Sequence, residues 1–492
     1  MTEDIEIYNF LRSASCCCIC CLRYLKGRTD DFISVQSALD KRGICLDDTS
    51  TNDEKQAKKM RLSNCVACLG LLEPHFIETL IEQIRSSDKL REYDCEGFTT
   101  SVSLPIALQV RQLSLWLSLL ERFPSRFNSC SVPDVSVKDA FKMILNRKLG
   151  EVLERVFSPT GIMINVFISY ANEEVELLLL QKIKPEVFVD RKAKKHCRKE
   201  FITRNAFEKN FTPDNVSLAQ YRQHIAVPPT IQDQTIALEE VSFTGPTLFL
   251  AGRYNKITRE LSQTPWVIDG KRKMANSVQE IMCSVVGPYF LVMEDSLIFS
   301  SSGREDVDVR CLGEGRPFVL EIQNAFKDYL TDSVALEMEK AIAKSKQISV
   351  KDLQLVAREE LVHIKQGEEN KQKFYRALCV LETAVTAEVL NALNIEEPFV
   401  IDQWTPLRVL HRRPLLSRPR TIYKVKAFAY QRNDRVLIVD VVTQAGTYIK
   451  ELVHSDFGRT NPSFRSIIGQ PIDIQALDVM AVHLDWPKRL TR

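Results

Sequence analysis

Residues 302–318, SGREDVDVRCLGEGRPF, crowd acidic side chains, three arginines and three glycines into one short stretch. The glycines disfavour a helix and predict a turn-rich loop. A loop that holds several carboxylates beside fixed cations can keep one reactive acid in a chosen ionisation state. We therefore take this stretch as the candidate catalytic loop, with a solvent-exposed hairpin as the structural alternative.

The acids of this loop are compatible with two kinds of enzyme chemistry. In an extended chain Asp306 and Asp308 would share one face, while Glu305 would point to the other. An Asp-x-Asp pair can hold a divalent metal for a phosphorylated substrate, although the sequence has no Walker-type glycine loop to cradle phosphates. A single carboxylate can instead act as nucleophile or base when an arginine or lysine keeps it ionised. The second chemistry needs a cation from another part of the chain.

Such a cation is available in a second glycine-led segment, TQAGTYIKELVHSDFGRT (443–460). Its pattern predicts a strand-to-helix turn with Thr447 as the N-cap, followed by a helix that carries Tyr448, Lys450 and Leu452 in its first turns. The N-terminus of a helix favours a nearby anion. The i, i+4 spacing of Tyr448 and Leu452 is also that of a buried helix stripe, which is the structural alternative.

The composition is that of a multidomain globular protein. A length of 492 residues suggests two or three domains, at about 150 residues each. The 66 basic and 64 acidic residues leave a net charge of +2, so a nucleic-acid site must be a local patch. The acidic start MTEDIEIYNF is unlike a secretory signal, and no apolar run reaches the roughly 18 residues of a membrane span. These features predict an intracellular protein of the nucleus and cytoplasm without membrane association.

The composition and hydrophobic periodicity of the sequence change along the chain and divide it into three regions. Residues 1–75 hold two cysteine knuckles separated by a polar, flexible insertion, and residues 76–245 form an accessory region of mixed α/β type. A basic run at 190–199 in that region is a candidate RNA contact or a solvated charged face. Residues 246–492 alternate many strands with few helices, which predicts an α+β domain with one large, mostly antiparallel sheet flanked by helices.

Individual elements follow from hydrophobic periodicity. We predict strands at 161–170, 289–300, 316–326, 373–382, 420–431, 435–444 and 472–486. We predict helices at 106–123, 137–157, 333–345, 352–372 and 382–393.

The cysteines predict a structural zinc site. Segments 16–27 and 64–73 each contain a C-x-x-C knuckle, and two knuckles together supply the four thiolates of a closed tetrahedral site. Buried free cysteines and lipidated cysteines are the alternatives. The second knuckle is Cys65 with Cys68, whereas two pairs fit the first: Cys17 with Cys20, or Cys18 with Cys21.

Both glycine-led segments resemble those of pseudouridine synthases. GREDVDVR (303–310) resembles their catalytic loop, most familiar as Gly-Arg-Thr-Asp, and GTYIKEL (446–452) resembles their Gly-Thr-Tyr-Ile-Arg-x-Leu segment. Segments 251–273 and 405–415, with the cysteine knuckles, are similar to the archaeal and eukaryotic tRNA pseudouridine synthases that modify uridines 54 and 55 of the T-arm. The resemblance covers essentially all of 248–492, and upstream it rests mainly on the cysteines.

The resemblance implies a set of site residues. Gly-Arg-Glu-Asp over Gly-Arg-Thr-Asp makes Asp306 the catalytic residue, rather than Asp308. The substrate-binding residues implied are Tyr375, which stacks on the target base, Tyr448 near the substrate, Lys450 in place of the arginine that pairs with the aspartate, and Leu452, which closes over it. A lysine keeps that charge but loses the bidentate geometry of arginine. Arg304 is expected to hold the phosphate of the flipped nucleotide or to pair with a neighbouring carboxylate.

The resemblance also implies the zinc ligands and the partners. The family's cysteine-x-leucine-arginine pattern favours Cys17 and Cys20 over the other register, which gives the ligand set Cys17, Cys20, Cys65 and Cys68. Isomerisation of uridine needs no redox cofactor and no catalytic metal. The expected partner is tRNA, with other RNAs or RNA-processing proteins as further candidates, and the chain is expected to be a monomer. The N-terminal region is then a THUMP-like module that grips structured RNA.

Two other functions remain open at this level. One is a zinc-containing RNA-binding or adaptor protein that has the synthase fold but acts without turnover. The other is a metal-dependent glycosyl or phosphoryl transferase that uses the Asp-x-Asp pair.

Overall fold

The computed structural model describes residues 2–44, 64–127, 133–188, 202–364, 372–411 and 413–491. The insertion predicted at 46–64 thus lies outside the described residues except for Asn64, and the basic run at 190–199 lies wholly outside them. The chain divides into two units, Met1–Thr244 and Gly245–Arg492. The division falls where the texture of the sequence changes. Among the described residues, no helix has the length and apolar character needed to cross a membrane.

The first unit combines helices with a four-stranded sheet of order β2-β1-β3-β4, in which only the β3–β4 pair is antiparallel. Its helices are α1 (Glu3–Ser13), α2 (Cys18–Tyr24), α3 (Val35–Asp40), α4 (Pro74–Arg85), α5 (Asp88–Arg91), α6 (Ala107–Arg122), α7 (Val137–Leu153), α8 (Glu173–Ile183), α9 (Arg204–Asn210) and α10 (Leu218–Arg222). Its strands are β1 (Gly97–Ser103), β2 (Val156–Phe157), β3 (Ile162–Tyr170) and β4 (Ile236–Thr244). This is a mixed α/β unit, and its THUMP-like assignment stays a prediction.

The helices and strand predicted in this unit form close to the expected positions. In β3 alternate residues from Ile162 to Tyr170 are buried, as expected for a strand with one face on a core. Ser136 is the N-cap of α7, and its hydroxyl accepts a hydrogen bond from the Asp139 amide. Glu154 follows the last residue of α7 and adopts the left-handed conformation that is typical of a helix C-terminus.

The second unit is built on one ten-stranded sheet of order β10-β5-β9-β16-β11-β14-β13-β12-β15, with β8 paired to β9. Its strands are β5 (Leu248–Lys256), β6 (Val267–Ile268), β7 (Lys271–Arg272), β8 (Leu297–Ser301), β9 (Val309–Ile322), β10 (Ile348–Val356), β11 (Gln372–Leu381), β12 (Phe399–Trp404), β13 (Ser417–Ala429), β14 (Val436–Gln444), β15 (Thr460–Asn461) and β16 (Ile472–Val482). Its helices are α11 (Val278–Phe290), α12 (Asp332–Ala343), α13 (Ala387–Leu393), α14 (Ile449–His454) and α15 (Phe464–Ile468).

Every strand pair of the ten-stranded sheet is antiparallel except β9 with β16. One buried apolar cluster lies between β5, β9 and β10 and the helices α11 and α12. A second lies between the strands β11, β13, β14 and β16 and the helices α13, α14 and α15. The predicted α+β architecture with a large, mostly antiparallel mixed sheet is therefore present.

Two element predictions in this unit are wrong. The strand expected at 289–300 occupies only Leu297–Ser301, because α11 continues to Phe290. The helix expected at 352–372 begins instead as the strand β10 (Ile348–Val356), whose backbone pairs with β5, and a 3₁₀ turn (Arg358–Leu361) follows. The apolar residues of this segment fit both the period of a helix and that of a strand, and backbone pairing with β5 favours the strand.

The glycine-rich half of 302–318 is also not a loop. The strand β9 begins at Val309 and runs through Gly313 and Gly315, both of which have positive φ angles. A Cβ at Gly313 would lie 2.1 Å from the Met480 carbonyl oxygen of β16, so only glycine allows this close approach of the two strands. The loop itself is the short segment between β8 and β9, and it carries Asp306.

Candidate active site and metal centre

The segment that carries Asp306 turns at Gly303, whose φ angle is +95°. A Cβ at this position would lie 2.9 Å from Lys373 Nζ and 3.1 Å from Arg316 Nη1. Glycine is therefore required both by the backbone conformation and by the two cations packed against it.

A buried ion pair supports this loop from below. Arg316 Nε donates to Glu305 Oε2 at 2.9 Å, and the two side chains are 2% and 0% exposed. The Tyr254 hydroxyl donates to the same carboxylate at 2.9 Å, and burial raises the pKa of Tyr254 well above its ordinary value. Arg316 Nη1 also donates to the Ser302 carbonyl at 2.8 Å. Glu305 and Arg316 thus fix the loop from within.

A buried lysine fixes the backbone around Asp306. Lys256 Nζ donates to the carbonyl oxygens of Leu261 and Asp306 at 2.8 Å and of Val307 at 3.0 Å. Burial lowers the pKa of Lys256 to about 8. The loop backbone is therefore held by an ammonium group that no local sequence pattern indicated.

The cation nearest to Asp306 is not the expected one. Lys450 Nζ lies 3.7 Å from Asp306 Oδ2, whereas it lies 2.7 and 2.9 Å from the two carboxylate oxygens of Asp308. Burial disfavours the charged form of Asp308, but the hydrogen bond and charge of Lys450 outweigh it and lower the pKa of Asp308. Arg408 Nη1 donates to Asp306 Oδ2 at 2.8 Å. The expected ion pair between Lys450 and Asp306 is thus present, and Arg408 forms a second, shorter one with the same oxygen.

Arg408 is held in turn by a buried carboxylate. Its Nε donates to Glu451 Oε1 at 2.7 Å, and the Glu451 side chain is 2% exposed. Partial burial opposes the charge of Arg408, but the hydrogen bond and charge of Glu451 outweigh it and raise the pKa of the guanidinium. Arg408 lies on the 3₁₀ turn Leu407–Val409 that follows β12, and Glu451 follows Lys450 in α14. The sequence analysis assigned no role to Arg408 or Glu451.

The Asp306 loop opens onto a cavity of about 710 Å³, within the range of about 300–1,000 Å³ usual for ligand pockets. Five of the residues singled out from the sequence line it: Arg304, Asp306, Tyr375, Tyr448 and Lys450. The lining residues that were not singled out include Lys373, Arg408, Val409, Arg413, Ile449 and Val479. The lining therefore combines charged side chains with apolar and aromatic ones.

The two tyrosines are placed by backbone contacts. Tyr375 lies in β11 between Val441 of β14 and Val479 of β16, and burial raises its pKa to about 12. The Tyr448 amide donates to Gln403 Oε1 at 2.8 Å, and the Tyr448 carbonyl accepts from Gln403 Nε2 at 2.9 Å. Tyr375 is thus part of a paired strand, and the backbone of Tyr448 is fixed at the start of α14.

The positions of Thr447, Leu452 and Arg304 bear on three expectations from the sequence. Tyr448, and not Thr447, occupies the N-cap position of α14, because the Thr447 hydroxyl donates to the Gln444 carbonyl instead. Leu452 is fully buried in the core between the sheet and α14 and is not among the residues that line the cavity, so its expected position over the aspartate stays a prediction. Arg304 is exposed and has no ion pair or hydrogen bond with any described residue.

The four predicted zinc ligands lie together in the first unit. The sulfur atoms of Cys17, Cys20, Cys65 and Cys68 lie within 4.8 Å of one another, and those of Cys17 and Cys68 are 3.9 Å apart. Zn–S bonds of about 2.3 Å in a tetrahedron place the sulfurs slightly under 4 Å apart, so the group fits a Cys₄ zinc site. Backbone amides also point at two sulfurs: Cys20 N donates to Cys17 Sγ at 3.4 Å, and Cys17 N to Cys65 Sγ at 3.2 Å. Cys18 lies outside this group and contacts Tyr8.

Comparisons with known proteins agree with this architecture. The family model "Eukaryotic Pus10, N-terminal" matches residues 65–243, and "Pus10, C-terminal" matches residues 249–483. The chain is 45% identical over 492 residues to the putative tRNA pseudouridine synthase Pus10 of Drosophila melanogaster, with 99% of this chain and 98% of that protein covered. It is 37% identical over 464 residues to the tRNA pseudouridine synthase Pus10 of Xenopus laevis, with 92% and 87% covered. For Homo sapiens tRNA pseudouridine synthase Pus10 the identity is 35% over 438 residues, with 88% and 81% covered. The chain therefore belongs to the Pus10 family of tRNA pseudouridine synthases.

Proposed function

We propose that this enzyme isomerises uridines 54 and 55 in the T-arm of tRNA, and that Asp306 is the reacting carboxylate. The observation that carries the proposal is the position of Asp306: its carboxylate lies on the wall of a nucleotide-sized cavity, next to the Arg408 and Lys450 cations. Arg408 lies 2.8 Å and Lys450 3.7 Å from the same oxygen of this carboxylate. An ionised carboxylate is the reagent that the isomerisation requires.

Two routes use this carboxylate and reach the same product. In one, an Asp306 oxygen forms a bond to C1′ of the ribose while the bond from C1′ to N1 of uracil breaks, and the uracil leaves with the electron pair. In the other, Asp306 removes the C2′ proton as the same bond breaks, which leaves a glycal and a protonated aspartate. The uracil then rotates and C5 forms the new bond to C1′. In the first route the bond between the Asp306 oxygen and C1′ breaks in this step, and in the second the proton held by Asp306 returns to C2′. The C5 proton is then lost and N1 gains a proton, so the product is an isomer of the substrate. No electrons are gained or lost overall.

The cavity also suits the base and the phosphate of an extruded nucleotide. A uridine within a folded tRNA must leave its stack before its C1′ can reach Asp306. Tyr375 and Val479 offer an aromatic and apolar wall on which the base can stack. Arg304 and Arg413 line the same cavity, and neither has a partner among the described residues, so both can accept phosphate oxygens.

The first unit is proposed to dock the RNA. We assign it a THUMP-like role in gripping structured tRNA, with other RNAs or RNA-processing proteins as further partners. A zinc ion held by the four cysteines would cross-link the start of α2 to the 65–68 turn and would take no part in the isomerisation. We further propose that the enzyme is a monomer of the nucleus and cytoplasm.

The test is to incubate the full chain with an unmodified tRNA transcript and to map pseudouridine by carbodiimide labelling and primer extension. We expect product at positions 54 and 55, and the loss of each signal when that uridine is replaced by cytidine in the transcript. Product elsewhere in the tRNA only would overturn the T-arm assignment. Tight binding without product would support the adaptor function, and a need for added magnesium in the chemical step would support the transferase.

A further inference from the structure

Five charged side chains form an alternating row across the loop and α14. Asp308 contacts Lys450 at 2.7 Å, Lys450 lies 3.7 Å from Asp306, Asp306 contacts Arg408 at 2.8 Å, and Arg408 contacts Glu451 at 2.7 Å. We call these five residues the charge row. Asp306 is its central member and has a cation on each side, while each cation is also held by an outer carboxylate.

The two sides of the charge row differ in burial and in distance. The outer carboxylate of Lys450 is exposed, since the Asp308 side chain is 64% accessible, whereas that of Arg408 is buried, since Glu451 is 2% accessible. An ion pair with a buried, desolvated partner is screened less by solvent than an exposed one. Arg408 therefore has the more fixed orientation and the shorter contact with Asp306.

The backbone around Arg408 is also fixed. The Leu407 amide donates to Asp456 Oδ2 at 3.2 Å, and Arg459 Nη2 donates to the Thr405 carbonyl at 2.6 Å. Both partners lie just beyond the end of α14. Two hydrogen bonds thus connect the chain around Arg408 to the segment that follows α14.

Both cations approach the same oxygen of the aspartate. Arg408 Nη1 and Lys450 Nζ contact Oδ2 of Asp306, and Oδ1 has no hydrogen-bond partner among the described residues. An oxygen with no donor on it keeps its lone pairs available, either for attack on carbon or for a proton.

We propose that Arg408, oriented by the positioning residue Glu451, is the cation that holds Asp306 through Oδ2, and that Oδ1 is the oxygen that reacts. Lys450 is then primarily the partner of Asp308. This assignment rests on the proposed role of Asp306 and adds a second cation and a buried positioning residue to it.

The test compares single-turnover rates on tRNA for Arg408→Gln, Arg408→Lys, Glu451→Gln and the double variant Arg408→Gln/Glu451→Gln. We expect Arg408→Gln to be slowed about 100-fold at neutral pH, which is the scale of removing one preorganised charge contact, with unchanged tRNA affinity. Arg408→Lys restores part of the rate, and Glu451→Gln is slowed about 10-fold, as expected for a group that acts through another. Because Glu451 acts through Arg408, the double variant is no slower than Arg408→Gln alone.

Rescue by the conservative variant distinguishes this role from a packing role. Lysine keeps the positive charge of Arg408 but not the shape of its planar guanidinium, so a partial return of the rate in Arg408→Lys reports on the charge beside Asp306 and not on packing. The matched control is Arg376→Gln, which removes an arginine that pairs with Asp440 at 2.7 Å outside the cavity lining and should leave the rate unchanged.

A wild-type rate in Arg408→Gln, or a slow Arg408→Gln that Arg408→Lys does not rescue in part, would overturn the assignment. Additive losses in the double variant would also overturn it, because they would mean that Glu451 does not act through Arg408. These outcomes differ from failure of the proposed function, in which the wild-type enzyme itself yields no pseudouridine in the T-arm.

Discussion

Replacement of Arg316 by methionine should loosen the Asp306 loop by several kcal/mol. The arginine and Glu305 form an ion pair whose side chains are 2% and 0% exposed, and the carboxylate also accepts from Tyr254. Removal of one member leaves a buried carboxylate without its cation, which costs about 3–5 kcal/mol. Loss of the hydrogen bond to the Ser302 carbonyl adds about 1 kcal/mol. The double variant Glu305→Gln/Arg316→Met removes both charges and should recover most of this loss.

Amide hydrogen exchange measures this effect locally, which avoids the assumption that a chain of two units unfolds in one step. The Ser302 amide donates to the Pro317 carbonyl at 3.0 Å and the Val309 amide to the Asp306 carbonyl at 3.1 Å, so both report on opening of the loop. A change of about 3 kcal/mol corresponds to exchange roughly 150-fold faster in Arg316→Met.

The matched control is Arg310→Met. Arg310 pairs with Asp478 through two hydrogen bonds, but its side chain is 35% exposed, and a pair of this kind contributes at most about 1 kcal/mol. Unchanged exchange at Ser302 and Val309 in Arg316→Met would refute the reasoning. A double variant that exchanges as fast as Arg316→Met would also refute it, because the cost would then not come from the unpaired carboxylate.

Three further predictions follow from other parts of the molecule. Burial lowers the pKa of Lys256 from 10.5 to about 8. Below pH 8 the buried ammonium group therefore destabilises the folded state. As the pH rises from about 8 to 10.5, the folded state loses this charge before the unfolded state does, and the destabilisation disappears. The unfolding free energy of the wild type relative to Lys256→Met should therefore rise over that range by up to about 3 kcal/mol, whereas a flat difference in denaturant titrations would contradict the buried charge. Cys68→Ser should lose bound zinc and destabilise the first unit, while Cys18→Ser should keep both, as metal analysis and thermal unfolding will show. Tyr375→Phe should keep most of the single-turnover rate, because the base stacks on the ring. Tyr375→Leu should lose about 1–3 kcal/mol of base stacking. Equal losses in both variants would instead assign the function to the hydroxyl.

Local patterns in the sequence predicted the large sheet, the zinc ligands and the position of the Asp306 loop. A C-x-x-C knuckle, a period-two strand and a glycine at a positive φ angle each depend on a few neighbouring residues. Cys65 and Cys68, and Gly303 with its φ angle of +95°, are examples of features that short segments encode, whereas spacing alone did not choose between Cys17 with Cys20 and Cys18 with Cys21. The family resemblance then selected Asp306 over Asp308.

The electrostatic partners could not be predicted in the same way. Arg408 and Asp306 are 102 positions apart in the sequence, and Lys256 and Asp306 are 50 apart, so both contacts depend on the complete sheet. The segment 405–415 contributed to the resemblance, but no spacing within it indicated which arginine faces the loop. The i, i+4 spacing of Tyr448 and Leu452 indicated a buried helix stripe as the structural alternative, and Leu452 is indeed buried in the core, whereas its place over the aspartate was implied only by the resemblance.

We propose that Asp306, and not the neighbouring Asp308, carries out the reaction. The most direct measurement is single-turnover pseudouridine formation on a tRNA transcript by Asp306→Asn and Asp308→Asn, with tRNA affinity measured for both variants. Each substitution removes one negative charge from the charge row while keeping the size of the side chain. We predict that Asp306→Asn binds tRNA but forms no product, and that Asp308→Asn retains turnover within about 10-fold of the wild type, since it loses an exposed ion pair only. Product formed by Asp306→Asn, or its absence only in Asp308→Asn, would contradict the account.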